Sequence, residues 1–359
     1  MNRGRGEIII NERGLTLGEI VDVARGRRGV TISPDPGFAA KIRRSQDVLM
    51  AALEKGTPVY GVNTGYGKSC GKRMAMEVST RNGSNLIRFH GCGTGAAVGI
   101  QEVRAAMLTR ILCFSRGYSG ASMELIRQLA EFLNRGITPV VPCEGSVGAS
   151  GDLTPLSYIA AALMGEGEVF YRDGRVPAAE ALREEGLAPY TFAPKEPLAM
   201  MNGTSIMTGI AALVMDRTRR LLDASICATA LSIHALMGNA HHYDPVISRA
   251  KPHPGQDQVA RKISDLLQSS EEPEKLAAAT LESLQDPYSL RCSPQILGVV
   301  FDALEWMTPW VEIEANSAND NPLFDPDAGT VLMGGNFYGG HIVFAMDSLK
   351  AAVASAADM

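Results

Sequence analysis

The sequence has no CxxC pair among its six cysteines, which are scattered along 359 residues. This spacing predicts neither a zinc ribbon nor a disulfide framework, and reduced thiols in the cytoplasm are the simplest interpretation. The cysteines are Cys70, Cys92, Cys113, Cys143, Cys227 and Cys292. An excess of basic residues is also absent, because the formal net charge is −5. This balance argues against a surface that binds nucleic acid.

Long apolar runs are missing as well. The first seven residues include charged side chains, and the run Ile8-Ile9-Ile10 is too short for the apolar region of a signal peptide. The most apolar window, residues 198–215, is interrupted by four polar side chains and predicts a buried helix rather than a membrane span. These four are Asn202, Thr204, Ser205 and Thr208. We therefore expect no membrane partner.

Three common catalytic or cofactor motifs are incomplete. The pair His241-His242 has no HExxH pattern, so a metal site is not predicted. The glycines of residues 91–95 precede a helix, but no clear strand leads into them, which argues against a nucleotide site. Neither Ser146 nor Ser150 lies in GxSxG, which argues against a hydrolase.

Helical periodicity dominates the sequence from residue 76 onward, and strand signals are few after residue 60. The best strand candidate is residues 7–11. An apolar stripe runs from Ile100 to Leu112, and the next helix is bounded by Ser122 and Gly136. Further helices are predicted at residues 154–164, 204–237, 256–268, 274–284, 294–315 and 341–359, and between Asp35 and Gly56. The pattern predicts a mainly α protein with a small mixed α/β N-terminal region.

Residues 145–152, Gly-Ser-Val-Gly-Ala-Ser-Gly-Asp, contain a tripeptide with a specific reactivity. If a tight turn brings the amide nitrogen of Gly151 to the carbonyl carbon of Ala149, ring closure and two dehydrations give 4-methylidene-imidazole-5-one, an electrophile. Glycine permits the close approach, Ser150 loses its hydroxyl to form the methylidene, and alanine is small enough for closure. The alternative, from the residues alone, is a flexible glycine-rich turn before a helix N-cap at Asp152.

The longer string GSVGASGDLTPLS, residues 145–157, closely resembles the signature of the histidine, phenylalanine and tyrosine ammonia-lyases. Four further segments match this family in order, and the resemblance covers essentially the whole chain. They are YGVNTGYG (60–67), MNGT (201–204), QDPYSLRCSPQ (285–295) and GGNFYGG (334–340). The resemblance implies a long-helix bundle of the ammonia-lyase and fumarase type. It also implies a prosthetic ring formed by Ala149, Ser150 and Gly151, with no metal and no nucleotide.

The resemblance further implies an N-terminal domain, residues 1–200, which carries the tyrosine loop and the Ala-Ser-Gly turn. A central helical-bundle domain, residues 201–359, follows and is expected to be incomplete at its C-terminal end, because the last helix stops without a capping signal. Family members assemble as homotetramers, and we expect the same assembly here. In family members the missing C-terminal portion supplies a glutamate to the site. The resemblance alone therefore does not predict whether a chain of this length is catalytically active.

Elimination of ammonia from an α-amino acid requires an electrophile for the amine, a base for the β-proton and a cation for the carboxylate. By resemblance, Tyr60 matches the base, Gly67 lines the same loop, and Arg291 matches the carboxylate clamp. Asn202 matches the asparagine that contacts the ring and the substrate. Further lining positions are Gln285, Tyr288, Asn336 and Phe337. From the residues alone, Arg291 also fits a surface arginine, Tyr288 a core ring, and Asn202 a helix cap.

Two adjacent residues, Phe89 and His90, match the positions that the family uses to select its substrate. A phenyl ring favours an apolar aromatic substrate, because an imidazole beside it would have poorly paired nitrogens. His90 is able to hydrogen-bond a phenol. We therefore expect a carbon–nitrogen lyase that converts phenylalanine or tyrosine to a trans-arylacrylate. The alternatives are a histidine ammonia-lyase that gives urocanate, an aminomutase with the same ring, and a non-catalytic helical pseudoenzyme.

Overall fold

The computed structural model describes residues 6–269 and 284–359, and for residues 76–82 it describes the backbone alone. Helices account for most of the ordered structure, which confirms the predicted mainly α class. The α-helices of the described residues are α1 (Leu17–Ala24), α2 (Pro36–Glu54), α3 (Met76–His90), α4 (Ile100–Ser115), α5 (Met123–Arg135), α6 (Leu153–Leu163), α7 (Ala178–Glu184), α8 (Glu196–Met201), α9 (Ser205–Ala235), α10 (Pro245–Ala250), α11 (Pro254–Gln268), α12 (Tyr288–Arg291), α13 (Ser293–Ala315) and α14 (Gly340–Ala357). The helix predicted at 274–284 lies outside the described residues, except for Leu284.

Short strands are more numerous than the sequence indicated. They are β1 (Ile8–Ile10), β2 (Val30–Ile32), β3 (Thr94–Ala97), β4 (Thr138–Pro139), β5 (Pro142–Glu144), β6 (Glu168–Tyr171), β7 (Gly174–Pro177), β8 (Leu323–Asp325) and β9 (Thr330–Leu332). β1 and β2 are parallel, whereas β3–β5, β4–β6–β7 and β8–β9 are antiparallel. Strands of two to four residues are too short to produce a clear alternation of apolar and polar side chains, so periodicity did not predict most of them.

Helix boundaries follow local capping chemistry. The Asp35 carboxylate accepts a hydrogen bond from the Gly37 amide at 2.9 Å and starts α2, where Pro36 occupies the first helical position. The Ser122 hydroxyl accepts one from the Leu125 amide at 3.1 Å and starts α5. Gly136 ends α5 with φ of 70°, a left-handed conformation that favours glycine. These three predicted boundaries are confirmed.

Helix α4 is buried on all sides, not along one stripe. Every residue from 103 to 115 is buried, whereas Ile100, which the stripe included, is 46% exposed. α1 and α5 pack against α4, and so does Gly209 of α9. A Cβ on Gly209 would lie 2.7 Å from the Ala106 nitrogen, so only glycine allows this approach. A helix enclosed in this way buries Arg104 and Arg110 as well, and both must find hydrogen-bond partners.

The chain divides into two compact units by its internal contacts. The first unit is Met1–Leu213 with Val311–Ile342, and the second is Val214–Trp310 with Val343–Met359. The domain boundary between residues 200 and 201 stays a prediction. Among the described residues, every helix is too short or too polar to span a membrane.

Candidate active site

The Ala-Ser-Gly turn lies between β5 and α6 in the first unit, and its backbone is unusual. Ser150 has φ of 57° and Gly151 has φ of 77°, so two consecutive residues adopt the left-handed region. A non-glycine residue there is uncommon and indicates a functional constraint. A Cβ on Gly151 would lie 2.1 Å from the Gly203 carbonyl oxygen, so the turn has no room for a side chain at position 151. This backbone approach accounts for the glycine.

The carbonyl oxygen of Ser150 accepts two hydrogen bonds. The Asn202 side-chain amide donates one at 3.0 Å, and the backbone amide of Gly203 donates the other at 3.3 Å. The orientation of the Asn202 side chain is fixed from its other end, because its Oδ1 accepts a hydrogen bond from the Asn321 amide at 2.7 Å. Asn202 is also the C-cap of α8. The residue therefore both caps a helix and contacts the turn.

The loop that begins at Tyr60 is held by its own hydrogen bonds. The Gly67 amide donates to the Tyr60 hydroxyl at 3.0 Å, which joins the two predicted loop residues directly. The Thr64 hydroxyl accepts from the Gly61 amide at 3.0 Å, and Val62 is buried. A Cβ on Gly61 would lie 2.7 Å from a Leu198 methyl group, so the loop packs on α8, the helix whose C-cap contacts the turn.

Phe89 and His90 end α3. The His90 Nδ1 lies 2.8 Å from the Leu86 carbonyl oxygen, which is only an acceptor, so Nδ1 carries the proton. A neutral ring then presents Nε2 as an acceptor. The Phe89 ring is 61% exposed and packs beside His90, with ring centroids 5.0 Å apart. An exposed ring does not form the buried apolar surroundings on which the expected preference for phenylalanine rested.

Asn336 and Phe337 belong to a segment that is linked to the turn through Asn321. The Asn336 amide donates to the Ala318 carbonyl at 3.0 Å, and the Gly334 amide donates to the Asn321 side chain at 2.9 Å. Since Asn321 also contacts Asn202, the segment from 334 to 337 is connected to the residue that binds Ser150. Phe337 is half-buried and Asn336 is exposed.

Gln285, Tyr288 and Arg291 lie on one segment of the second unit. The Arg291 guanidinium stacks on the Tyr288 ring at 4.5 Å, and its buried Nε has no hydrogen-bond partner within the described residues. Tyr288 is 71% exposed, so it is not the core ring that the residues alone allowed. Gln285 is exposed as well.

A neighbouring segment, residues 239–243, fixes the chain around Arg291. The Asn239 amide donates to the Asp286 carboxylate at 2.7 Å, and the Tyr243 hydroxyl donates to the Leu290 carbonyl at 2.7 Å. The Asp286 amide donates to Nε2 of His242 at 3.1 Å, which requires a neutral ring, and burial lowers the pKa of His242. The His242 ring thus accepts a hydrogen bond from a backbone amide, although it also lies 3.8 Å from the Asp286 carboxylate.

Several buried polar residues near the turn were not predicted from the sequence. Asp152 accepts a hydrogen bond from the Met207 amide at 2.9 Å, at the N-terminus of α9. Lys195 and Asp320 form an ion pair with no exposed side-chain surface. Arg110 donates to the Asn202 carbonyl at 2.6 Å. Of these residues, only Arg110 has a signal in the sequence, because it lies among the mostly apolar residues 107–114. No group of three or more metal-ligating side chains occurs in the part of the chain that the structure describes.

Asp152 gives the site a pH-dependent stability. Burial raises its pKa to about 6 from an ordinary value of 3.8, although backbone hydrogen bonds and the charge of Arg110 oppose this shift. The folded state therefore binds the proton more tightly than the unfolded state. The resulting stabilisation is complete below pH 3.8 and is lost as the pH rises through about 6.

We expect Asp152→Asn to stabilise the protein at pH 8 relative to wild type, because the variant does not bury a charge. The advantage should shrink by about 3 kcal/mol or less between pH 8 and pH 4.5, from the energy of a pKa shift of about two units. Urea unfolding at the two pH values measures it. Asp173→Asn, at an exposed position, is the control. A stability difference between Asp152→Asn and wild type that does not vary with pH would contradict the prediction.

Comparisons with known proteins agree with this geometry. The family profile named aromatic amino acid lyase matches residues 15–359. The histidine ammonia-lyase of Myxococcus xanthus is 39% identical over 97% of this chain and 68% of its own length. Among solved structures, the Pantoea agglomerans phenylalanine aminomutase superposes with a TM-score of 0.88 at 34% identity, over 98% of this chain and 70% of its own. The Trypanosoma cruzi histidine ammonia-lyase gives 0.85 at 30% identity, over 98% and 65%.

The chain therefore belongs to the aromatic amino acid lyase family and has the ammonia-lyase fold. It is a carbon–nitrogen lyase. Six curated relatives that are 34–39% identical all have the name histidine ammonia-lyase, and they support the histidine alternative better than the expected phenylalanine or tyrosine.

Proposed function

We propose that the protein is a histidine ammonia-lyase, which eliminates ammonia from L-histidine to give urocanate. The observation that carries this proposal is the uniform name of the six curated relatives, each matched over at least 96% of this chain. The local geometry is compatible with it. Nε2 of a neutral His90 is an acceptor for the N–H group of a substrate imidazole.

The electrophile of this reaction is a methylidene-imidazolone ring formed by Ala149, Ser150 and Gly151. In its formation the Gly151 nitrogen bonds to the Ala149 carbonyl carbon, whose oxygen leaves as water. The Ser150 hydroxyl leaves with the α-hydrogen as a second water. The left-handed turn and the absence of room for a side chain at position 151 suit this closure. The ring supplies an electrophilic carbon for the substrate amine, without a metal or a nucleotide.

The protein side chains perform the remaining tasks. Tyr60 removes the β-proton, and the Gly67 amide orients its hydroxyl. Arg291 binds the substrate carboxylate, and its stacking on Tyr288 limits its motion. Asn202 and the Gly203 amide hold the Ser150 carbonyl oxygen and withdraw electron density from the turn. By resemblance to the family, we also assign Gln285, Asn336 and Phe337 to substrate binding.

A substrate panel tests the choice of amino acid. The purified protein is mixed with L-histidine, L-phenylalanine and L-tyrosine, and the ultraviolet absorbance of each arylacrylate is followed. We expect kcat/KM for histidine to exceed the other two by at least about tenfold, the scale of one well-placed polar contact. A preference for phenylalanine or tyrosine would contradict the proposal that histidine is the substrate, but it would not contradict the assignment as a lyase.

His90→Leu tests the origin of the preference. Loss of the Nε2 acceptor should leave the substrate N–H without a partner and lower kcat/KM for histidine about 10- to 100-fold. Turnover of phenylalanine should fall less or rise. His253→Leu, at an exposed histidine of the second unit, is the matched control, and we expect its effect to stay within about threefold, as for most exposed substitutions. Equal losses for both substrates in His90→Leu would exclude His90 as a selector.

An aminomutase is the second candidate, because solved structures of a phenylalanine and a tyrosine aminomutase superpose on the chain at 34% and 33% identity. Such an enzyme returns the amine to the β-carbon. Chiral chromatography of the reaction mixture distinguishes the two, because a β-amino acid forms in the aminomutase and an arylacrylate with free ammonia in the lyase.

We also propose that the protein is cytoplasmic and assembles as a homotetramer. The six free cysteines support a reducing compartment. Exposed apolar side chains in the second unit support self-association, and they include Val299, Trp306, Val343 and Phe344. Light scattering coupled to size-exclusion chromatography measures the state, and a stable monomer would contradict the assembly.

A further inference from the structure

Arg110 is buried in the middle of α4 without exposed surface, close to the Ala-Ser-Gly turn. Its Nη1 donates to the carbonyl oxygens of Ala199 and Asn202, at 2.8 and 2.6 Å, and its Nη2 donates to the Asn319 side chain. A Cβ on Gly203 would lie 2.6 Å from Nη2, so the guanidinium lies directly against the Gly203 backbone. One rigid group therefore binds the carbonyls of residues 199 and 202 and packs against residue 203.

The bond to the Asn202 carbonyl has a geometric consequence for the next amide. The peptide unit between Asn202 and Gly203 is planar, and its C=O and N–H groups point in opposite directions. When Arg110 holds the carbonyl on one side, the Gly203 N–H must point to the other side, where it donates to the Ser150 carbonyl at 3.3 Å. The Asn202 side chain, on the same residue, donates to that oxygen as well.

We propose that Arg110 is a positioning residue for the Ala-Ser-Gly turn, because its guanidinium orients the Asn202–Gly203 peptide so that two N–H groups converge on the Ser150 carbonyl. The inference rests on the proposed function of this turn. It assigns Arg110 a role in ring formation and in the activity of the formed ring, without contact to the substrate. A lysine in its place retains the positive charge and loses the planar fork that reaches three acceptors.

The chain contains a matched control on the same helix. Arg104 is also buried, and its guanidinium donates to three backbone carbonyls, those of Val23, Ala24 and Leu133. These contacts involve neither the Ala-Ser-Gly turn nor the segment 199–203. Arg104→Lys and Arg110→Lys therefore remove similar hydrogen bonds, and only the second change affects the peptide that faces Ser150.

The experiment compares wild type, Arg110→Lys and Arg104→Lys by intact mass, amide hydrogen exchange, steady-state kinetics and urea midpoint. We expect Arg110→Lys to leave part of the chains at the unmodified mass, or to lower kcat at least about tenfold with KM within about twofold. Exchange of the amides in residues 202–204 should accelerate. Arg104→Lys should lower the urea midpoint by a similar amount, with a fully formed ring and kcat near that of wild type.

The inference is wrong if Arg110→Lys retains complete ring formation and kcat within twofold of wild type, or if Arg104→Lys impairs both equally. If Arg110→Lys does not fold, Asn319→Ala removes one of its three acceptors and leaves the arginine in place, and a several-fold loss of kcat is then expected. Unchanged kcat in Asn319→Ala would also contradict the inference. Failure of the proposed function itself is recognised separately, because wild type would then have the unmodified mass and no lyase activity.

Discussion

Ser150→Ala is expected to give a folded protein with almost no ammonia-lyase activity. Alanine has no hydroxyl to leave as water, so the electrophile does not form. The backbone carbonyl at position 150, which accepts the bonds from Asn202 and Gly203, is kept. We expect kcat to fall by at least about 10⁴-fold, the scale observed when a covalent catalytic group is removed. Steady-state kinetics with histidine, together with a thermal unfolding curve, measure the two parts of the prediction.

Ser146→Ala is the matched control, because Ser146 is a second serine of the same turn. Its hydroxyl lies 3.4 Å from the Gly148 amide and 3.5 Å from the Gly151 carbonyl, distances of weak hydrogen bonds. We expect kcat of this variant to remain within about tenfold of wild type, because only two weak, neutral hydrogen bonds are lost. Retained turnover in Ser150→Ala would reject the ring as the electrophile.

Tyr60→Phe is expected to form the ring and still to lose activity. The change removes the hydroxyl that accepts a hydrogen bond from the Gly67 amide. This hydroxyl is the proposed base, and the aromatic ring remains in the loop. General base catalysis contributes roughly 10²- to 10⁴-fold, and we expect kcat to fall within that range. Intact mass separates this outcome from Ser150→Ala, because the Tyr60 variant should still lack two water molecules.

Tyr66→Phe serves as the control for the loop. The Tyr66 ring lies 6.4 Å from that of Tyr60, and burial raises the pKa of Tyr66 to about 12. A phenol with this pKa is protonated at neutral pH and is poorly suited to remove a proton. We expect Tyr66→Phe to retain activity within about tenfold of wild type. A larger loss of activity in Tyr66→Phe than in Tyr60→Phe would contradict the assignment of Tyr60 as the base.

The sequence predicted those parts of the site that depend on local chemistry. The Ala-Ser-Gly turn was predicted because each residue type has a separate chemical reason, and the structure gives Gly151 a backbone approach that only glycine allows. The boundaries of α5 followed from Ser122 and Gly136, whose preferences act within one turn of helix. Tyr60 and Gly67 were assigned to one loop by resemblance, and they are hydrogen-bonded to each other.

The supporting residues were beyond reach of the sequence because their partners are distant along the chain. Arg110 contacts residues 199, 202 and 319, and no periodic pattern encodes such separations. The apolar stripe assigned α4 one buried face, whereas contacts from several helices enclose it. Once a helix is enclosed, a charged residue must be paired inside the protein, and this requirement is a tertiary property.

The substrate preference shows a limit of a different kind. The adjacent pair Phe89-His90 was interpreted as if both side chains lined a buried pocket, and this favoured phenylalanine or tyrosine. In the structure Phe89 is 61% exposed, and His90 has a tautomer that is set by the Leu86 carbonyl. Residue identity alone determines neither exposure nor tautomer, so the same residue pair is compatible with an imidazole substrate.

Intact-mass spectrometry of the purified wild-type chain, with mapping of the peptide that contains residues 149–151, addresses the origin of the electrophile. We expect the chain to lack the mass of two water molecules and the deficit to reside entirely in that peptide. An unmodified mass for this peptide in a preparation that converts histidine to urocanate would show that the activity has another source.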